Sequence, residues 1–371
     1  MAEPPPMDLA GLHGRGVDAV VASAASRRWR LPFVTPFVNS RGPVVDRSGV
    51  LLRLETTDGT VGWGEAAPLD GFSAETLDDA AAALDQWCAA AVGRPLGALP
   101  AMGPRGGGTA RSARASAAVD ALARIDGCSA AALLARPCSA RPEVAANVVV
   151  GSADPIEAAD MAAGGVGRGH RTVKLKVGHG PLDDDVRLVG AVRAAVGPDI
   201  AIRIDANGGW SEAEAIAVLE RLTPYTIEYV EDPVLGPDAL ARVRAAVAVP
   251  VALDEPLRTA EVLDAHLAVG AIDFAILKPT ALGGPVEAMA LARRALAAGV
   301  GTIVTSFLDS AVGRATALAV AAAIPDHGAA GLATGGLLAT DLAAGHPVVD
   351  GAMAIGLGRG LGVEPDWPLG V

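Results

Sequence analysis

The chain is poor in the features that mark several protein classes. Its three cysteines, Cys88, Cys128 and Cys138, are an odd number with neither paired nor metal-ligand spacing. That argues against a disulfide framework and for thiols packed on helices in a reducing compartment. No apolar run of 18 residues free of charge occurs, so no membrane-spanning helix is expected. The start, Met1-Ala-Glu-Pro-Pro-Pro, lacks the basic stretch and apolar run of a secretion signal, and a soluble, cytoplasmic protein is expected. Basic residues are in deficit: Lys+Arg number 30 against 42 Asp+Glu, a net charge of −12. This counts against a nucleic-acid-binding surface while leaving room for a local basic pocket. The six histidines are scattered, and none pairs with an acid at the end of an apolar run. Gly62 and Gly64 form a G-x-G on a hairpin pattern rather than between a strand and a helix, which is no dinucleotide fingerprint.

What is present is a repeat of short apolar runs ending in charge. Thr172–Lys176, Ala201–Asp205, Ile227–Glu231, Val251–Asp254 and Phe274–Lys278 end in charges separated by 29, 26, 23 and 24 residues. Each step is about one strand plus one helix, and strands buried on both faces read as short apolar runs of this kind. Closed into a ring, such a sheet is a TIM-type β/α barrel whose strand ends converge on one mouth. Further barrel strands are expected at Ala146–Val150, Thr302–Ser306 and Gly331–Thr334. The 371 residues exceed a bare barrel by more than about 100, which calls for a second domain.

That domain lies in front. Strands are expected at Val17–Val21 and Trp29–Val34, then a hairpin turning at Asp58-Gly59. A helix is expected over Ser73–Val92 with Ser73 as its cap, and another over Ala113–Ala123 after an exposed Met102–Ser112 loop. The chain therefore divides into a loose leader (1–16), an α+β capping domain (17–143), a barrel (144–345) and a tail (346–371) that packs on the cap.

The charges at the mouth specify chemistry. Asp205, Glu231 and Asp254 offer three carboxylates without sulfur or imidazole, a hard-oxygen set suited to Mg²⁺, or Mn²⁺, with positions left for an oxygen-rich substrate. Their neighbours Asp232 and Glu255 point elsewhere if the ligands point inward. Lys174 and Lys176, two apart on a strand, share a face, where two ammonium groups need negative charge close by. Lys278 comes from a strand nearly opposite. Ammonium groups on both sides of a metal-held carboxylate are what removal of a proton from carbon requires, and a lysine base needs its pKa lowered from ~10.4 by a neighbouring cation or desolvation. Phe72, a loop aromatic, is suited to cover an apolar substrate at the mouth.

Lys174-Leu-Lys176, Asp205-Ala-Asn207, Glu231-Asp-Pro233, Asp254-Glu255 and Lys278-Pro279 together resemble the motif set of the enolase superfamily, muconate-lactonizing subgroup, over nearly the whole chain. The resemblance implies Lys176 as proton carrier, Lys174 as the group that tunes it, Lys278 as the opposing acid, base or cation, and a lysine base with a metal-stabilised ene-diolate. Gly62–Thr76, containing Pro68-Leu-Asp-Gly-Phe-Ser73, resembles the cap segment that closes over substrate in the o-succinylbenzoate synthase family. Arg203 resembles an arginine of that group, and Ser306-Phe-Leu-Asp-Ser310 its seventh-strand Ser/Gly segment. Phe72, Ser73, Arg203, Asn207, Ser306 and Ser310 are thus the expected substrate contacts. The implied activity is dehydration of a cyclohexadiene carboxylate, a small-molecule acid, with a homo-oligomer compatible with the sequence. N-acylamino acid racemase and muconate-type cycloisomerase are the alternatives within the superfamily. A non-catalytic ligand-binding barrel is the alternative outside it, and such a barrel has no need of the full set of lysines and acids. Gly331-Leu-Ala-Thr-Gly-Gly336 lacks the acid that dipeptide epimerases use to hold a substrate ammonium.

Overall fold

The computed structural model describes residues 16–39, 42–102, 108–356 and 358–367. The expected leader and most of the Gly106 loop lie outside these residues. The cap begins with an antiparallel sheet of β1 (Val21–Asn39), β2 (Gly42–Thr56) and β3 (Val61–Ala66) in that order. The strand expected at Val17–Val21 is not formed, since only Val21 belongs to β1 and Val20 makes a single bridge to Pro95; the one expected at Trp29–Val34 lies within the long β1, whose register shifts between Pro32 and Phe37. Helices α1 (Leu77–Ala91), α2 (Thr109–Asp126) and α3 (Ala130–Ala135) cover the sheet.

Two local expectations are corrected. Helix α1 starts at a Thr76 capping box with Asp79, and Ser73 instead accepts a hydrogen bond from the Leu69 amide at 2.9 Å. Helix α2 begins at Thr109 and runs to Asp126, because small alanines and serines let it lie close to β3. A Cβ at Gly64 would come within 1.9 Å of the Ala113 carbonyl oxygen and one at Gly62 within 2.2 Å of that of Ala117, so only glycine fits this approach.

Strand β4 (Glu143–Ala145) leads to β5 (Val148–Val150), and the chain then alternates α4 (Pro155–Gly167), β6 (Thr172–Lys176), α5 (Leu182–Val196), β7 (Ala201–Asp205), α6 (Glu212–Leu222), β8 (Ile227–Glu231), α7 (Pro237–Ala246), β9 (Val251–Leu253), α8 (Ala260–Ala268) and β10 (Phe274–Leu277). After α9 (Pro279–Leu282) and α10 (Pro285–Ala297), β11 (Gly301–Val304) and α11 (Ala311–Ala323) complete the series. Strands β5 to β11 pair in chain order as one parallel sheet of seven. Gly331–Thr334 is not an eighth strand. Ala330 bridges to Ala146 and Gly331 to Thr305, so single parallel bridges close the ring, consistent with the absence of β-branched residues there until Thr334. The barrel with an α+β cap is thus the observed architecture. Beyond it, β12 (Val348–Val349) pairs with β13 (Ala352–Ala354), and β13 with β4. The tail then reaches the cap: Asp120 of α2 accepts from the Leu361 amide, and Trp367 packs on Trp63. Among the described residues no helix is long and apolar enough to cross a membrane.

Cap and barrel meet through buried charge. The Arg47 guanidinium, 3% exposed, donates to the carbonyls of Ala67 and Pro68 at 2.6 Å each and of Phe307 at 3.1 Å. Glu65 accepts from the Ser310 amide (3.0 Å), the Ser310 hydroxyl and the Gly313 amide (3.1 Å), all at the N-terminus of α11. Burial, reinforced by the nearby Asp309 charge, pushes the Glu65 carboxyl up from 4.5 to about 7. Because the folded state then holds this proton more tightly than the unfolded chain, its contribution to stability falls as pH rises from 4.5 through about 7. Urea titrations of wild type and Glu65→Gln should therefore diverge in favour of wild type on acidification across that window. A gap that stays constant with pH would refute the assignment.

Candidate active site

The charged ends of the strands are brought to one place. In the sheet register Lys176 lies beside Asp205 and Asp205 beside Glu231, while Asp254 and Lys278 follow β9 and β10 by one residue. One oxygen from each of Asp205, Glu231 and Asp254 lies within 4.8 Å of the others, all three residues being buried. Lys174 Nζ lies 2.9 Å from Asp205 Oδ2 and also pairs with Glu231. Lys176 Nζ is 3.0 Å from the same Asp205 oxygen, and Lys278 Nζ is 2.7 Å from Asp254 Oδ1. The sequence contains three lysines, and all three are here. That concentration in a chain otherwise using arginine was an available signal for the site.

The electrostatics follow from burial against these pairs. Burial opposes ionisation of Asp205, but the Lys174 and Lys176 ammoniums outweigh it and hold the carboxyl well below its usual range. Asp254 is likewise held low against burial, by Lys278 and Lys174. Glu231 goes the other way: burial, together with the Asp205 and Asp254 charges, exceeds the help of Lys174 and pushes it up to about 8. For Lys174, desolvation is overcome by the three acids, which raise it well above its ordinary value. The three-carboxylate donor set fits a hard divalent cation: it is compact, buried and purely oxygen. Asp232 turns away, as expected, with its carboxylate accepting from the Asp254 and Glu255 amides at 3.0 and 2.8 Å, and so fixes the backbone that presents the third carboxylate. Glu255, expected to do the same, instead lines the cavity at the site.

The site opens into a cavity of about 550 Å³. Phe72 and Leu69 from the cap line it, as do Ser306, Phe307 and Leu308 from the loop after β11. Four other expected contacts stand behind the wall. Ser73 holds the turn at Leu69, and Ser310 caps α11 against Glu65. Asn207 accepts from Lys176 Nζ at 2.8 Å and donates to Glu255 at 2.9 Å, so it orients the lysine. Arg203 lies inside the barrel with its guanidinium 4.7 Å from the Tyr229 ring centre, donating to Glu228 at 2.7 Å and to the Ala329 carbonyl. Tyr229 thus separates it from much of the cavity. Sequence reasoning missed Asn147 in the cavity wall and the Arg47–Glu65–Asp309 cluster. No strand-end charge pattern marks either.

A cation held by the three carboxylates would have to displace the proton that Glu231 retains below about pH 8. Calorimetric Mg²⁺ affinity should therefore rise by up to about tenfold per pH unit toward that value and then level off. Glu231→Gln should weaken binding and remove the slope. An affinity independent of pH between 6 and 8 would contradict this origin.

Comparison with known proteins agrees with this geometry. Residues 157–369 match the enolase C-terminal domain-like family, and residues 22–102 match the MenC N-terminal domain. An o-succinylbenzoate synthase of Mycobacterium tuberculosis is 44% identical over 192 residues, 50% of this chain and 57% of that protein, so the match spans little more than half the relative's length. Among solved structures, muconate lactonizing enzyme from Pseudomonas fluorescens, complexed with muconolactone, superposes with a TM-score of 0.86 at 26% identity over 94% of this chain and 97% of its own. N-succinyl Arg/Lys racemase from Bacillus cereus does so with 0.84 at 26% over 94% and 96%. With the barrel, the three acids and the opposed lysines in place, the chain belongs to the enolase superfamily, its C-terminal domain-like barrel joined to a MenC-type N-terminal domain.

Proposed function

We propose that this protein is a Mg²⁺-dependent o-succinylbenzoate synthase that dehydrates 2-succinyl-6-hydroxy-2,4-cyclohexadiene-1-carboxylate, acting in the cytoplasm on the route to menaquinone. The observation that carries the reading is the pairing of Lys176 and Lys278 on different strands around the three carboxylates, beneath a cap segment of the MenC type. The walls suit a ring: Val149, Met161, Ile276 and Phe307 face the cavity, and apolar lining with a few convergent polar groups is the usual make-up of a small-molecule site.

Asp205, Glu231 and Asp254 would hold the ion, which when bound supplies positive charge to the substrate carboxylate. Lys176 Nζ takes the proton from the carbon that bears the carboxylate, with Asn207 and Asp205 fixing the amine in place. Negative charge that then develops on the carboxylate is met by Lys174 and by Lys278. The C–O bond to the ring hydroxyl breaks, and the departing oxygen takes its proton back from Lys176 and leaves as water. Aromatisation of the ring makes this elimination favourable, so one lysine suffices for both transfers.

N-acylamino acid racemisation is the second reading, supported by the same opposed lysines and by the likeness to the Bacillus cereus racemase. Lys176→Ala should abolish dehydration, and Lys278→Ala should lower kcat by at least about 10²-fold through lost charge stabilisation. Exchange of an N-acylamino acid α-proton in D₂O, followed by NMR, separates the two. Exchange of either enantiomer at rates rivalling dehydration would show two competent bases and favour the racemase.

Phe72 covers the mouth rather than the chemistry. Phe72→Ala should raise KM or lower kcat/KM about tenfold while Mg²⁺ affinity stays unchanged. An unaltered kcat/KM would remove the cap loop from substrate recognition.

A further inference from the structure

Asn147 lies one residue before β5 and lines the cavity, yet it is 2% exposed. Its Nδ2 has no hydrogen-bond partner among the described residues, whereas buried polar groups are nearly always paired. Its Oδ1 stands 3.5 Å from Arg203 Nη1. A guanidinium has donors only, so a reversed amide would set donor against donor. Arg203 is itself held by Glu228 and the Ala329 carbonyl and does not turn away. The ion pair beneath the wall thus dictates that Asn147 directs its oxygen to Arg203 and leaves its N–H₂ for whatever enters the cavity.

The other donors sort the oxygens of a ligand. Lys174, Lys176 and Lys278 all pair with the carboxylate triad and are used on the ring carboxylate and the leaving oxygen. The succinyl arm carries a ketone and a second carboxylate that these lysines do not serve. A neutral, pre-oriented N–H on a residue of the cavity wall, which Ile276 and Ile303 also line, matches such an acceptor. We propose, resting on the dehydratase reading, that Asn147 donates Nδ2–H to an oxygen of the succinyl arm and is a specificity-determining residue. A site with a buried donor discriminates strongly against ligands lacking the acceptor, because the donor is then left unpaired.

The product retains the arm, so binding can be read without turnover. Calorimetry on the Mg²⁺-loaded protein would compare o-succinylbenzoate with benzoate, which lacks the arm. Asn147→Leu should weaken o-succinylbenzoate binding about 10- to 100-fold and leave benzoate and Mg²⁺ affinities unchanged. Asn147→Asp keeps the acceptor for Arg203 and removes the donor, and it should also lose o-succinylbenzoate affinity and raise KM in the dehydration assay. Asn147→Asp binding o-succinylbenzoate like wild type would show that Asn147 serves only to hold Arg203. Equal loss of benzoate in Asn147→Leu would show a general disturbance; either result overturns the proposal. Wild-type protein that neither binds o-succinylbenzoate nor dehydrates its precursor would overturn the dehydratase reading and this inference with it, whereas wild-type binding unaltered in both variants overturns the role of Asn147 alone.

Discussion

Three carboxylates within 4.8 Å of one another in a buried barrel mouth are the arrangement around which the rest of the site is organised. Like charges this close, out of water, repel strongly. The fold answers with ammonium groups from two strands. Lys174 and Lys176 enter from β6 beside the first acid, and Lys278 follows β10 beside the third. Even so compensated, Glu231 keeps a raised pKa, because burial together with the Asp205 and Asp254 charges outweighs Lys174. Three buried carboxylate oxygens this close fit a hard divalent cation.

Precision in such a site depends on groups behind it. Asp232 accepts from the amides that present Asp254 and Glu255, and Asn207 ties Lys176 to Glu255. Asn207 and Asp232 both adopt positive φ, at 46° and 39°, a conformation that Asn and Asp tolerate better than most residues. The strand-end turns are thus shaped for the hydrogen bonds they make.

The cap is joined to the barrel by interactions of a different kind. Arg47 grips two carbonyls just before Leu69 and a third at Phe307, so one guanidinium sets both the cap loop and the barrel loop that line the cavity. Glu65 binds the N-terminus of α11, where unpaired amides favour an acceptor. The solved structures that share this fold include a racemase and a muconate lactonizing enzyme.

How much of this was legible depended on whether a residue's partners were local. Period-two alternation in Thr172–Lys176 already put Lys174 and Lys176 on one face, and the repeat of apolar runs ending in Asp205, Glu231, Asp254 and Lys278 already implied a common mouth, because strand geometry and βα spacing are properties of short segments. The helix starts were less legible: Ser73 and Thr76 are equally good caps in sequence, and only the turn at Leu69 settled which one begins α1. The weak strand at Gly331 failed for a related reason, since ring closure needs only the single bridges of Ala330 and Gly331 and leaves no extended pattern to read. Arg203 and Asn147 show the boundary most clearly. By itself the sequence determined the barrel, the acid triad and the lysine pair. Tertiary structure alone decided that Arg203 lies under Tyr229 and meets the Asn147 amide oxygen, because an amide's orientation depends on a partner 56 residues away that no local pattern encodes.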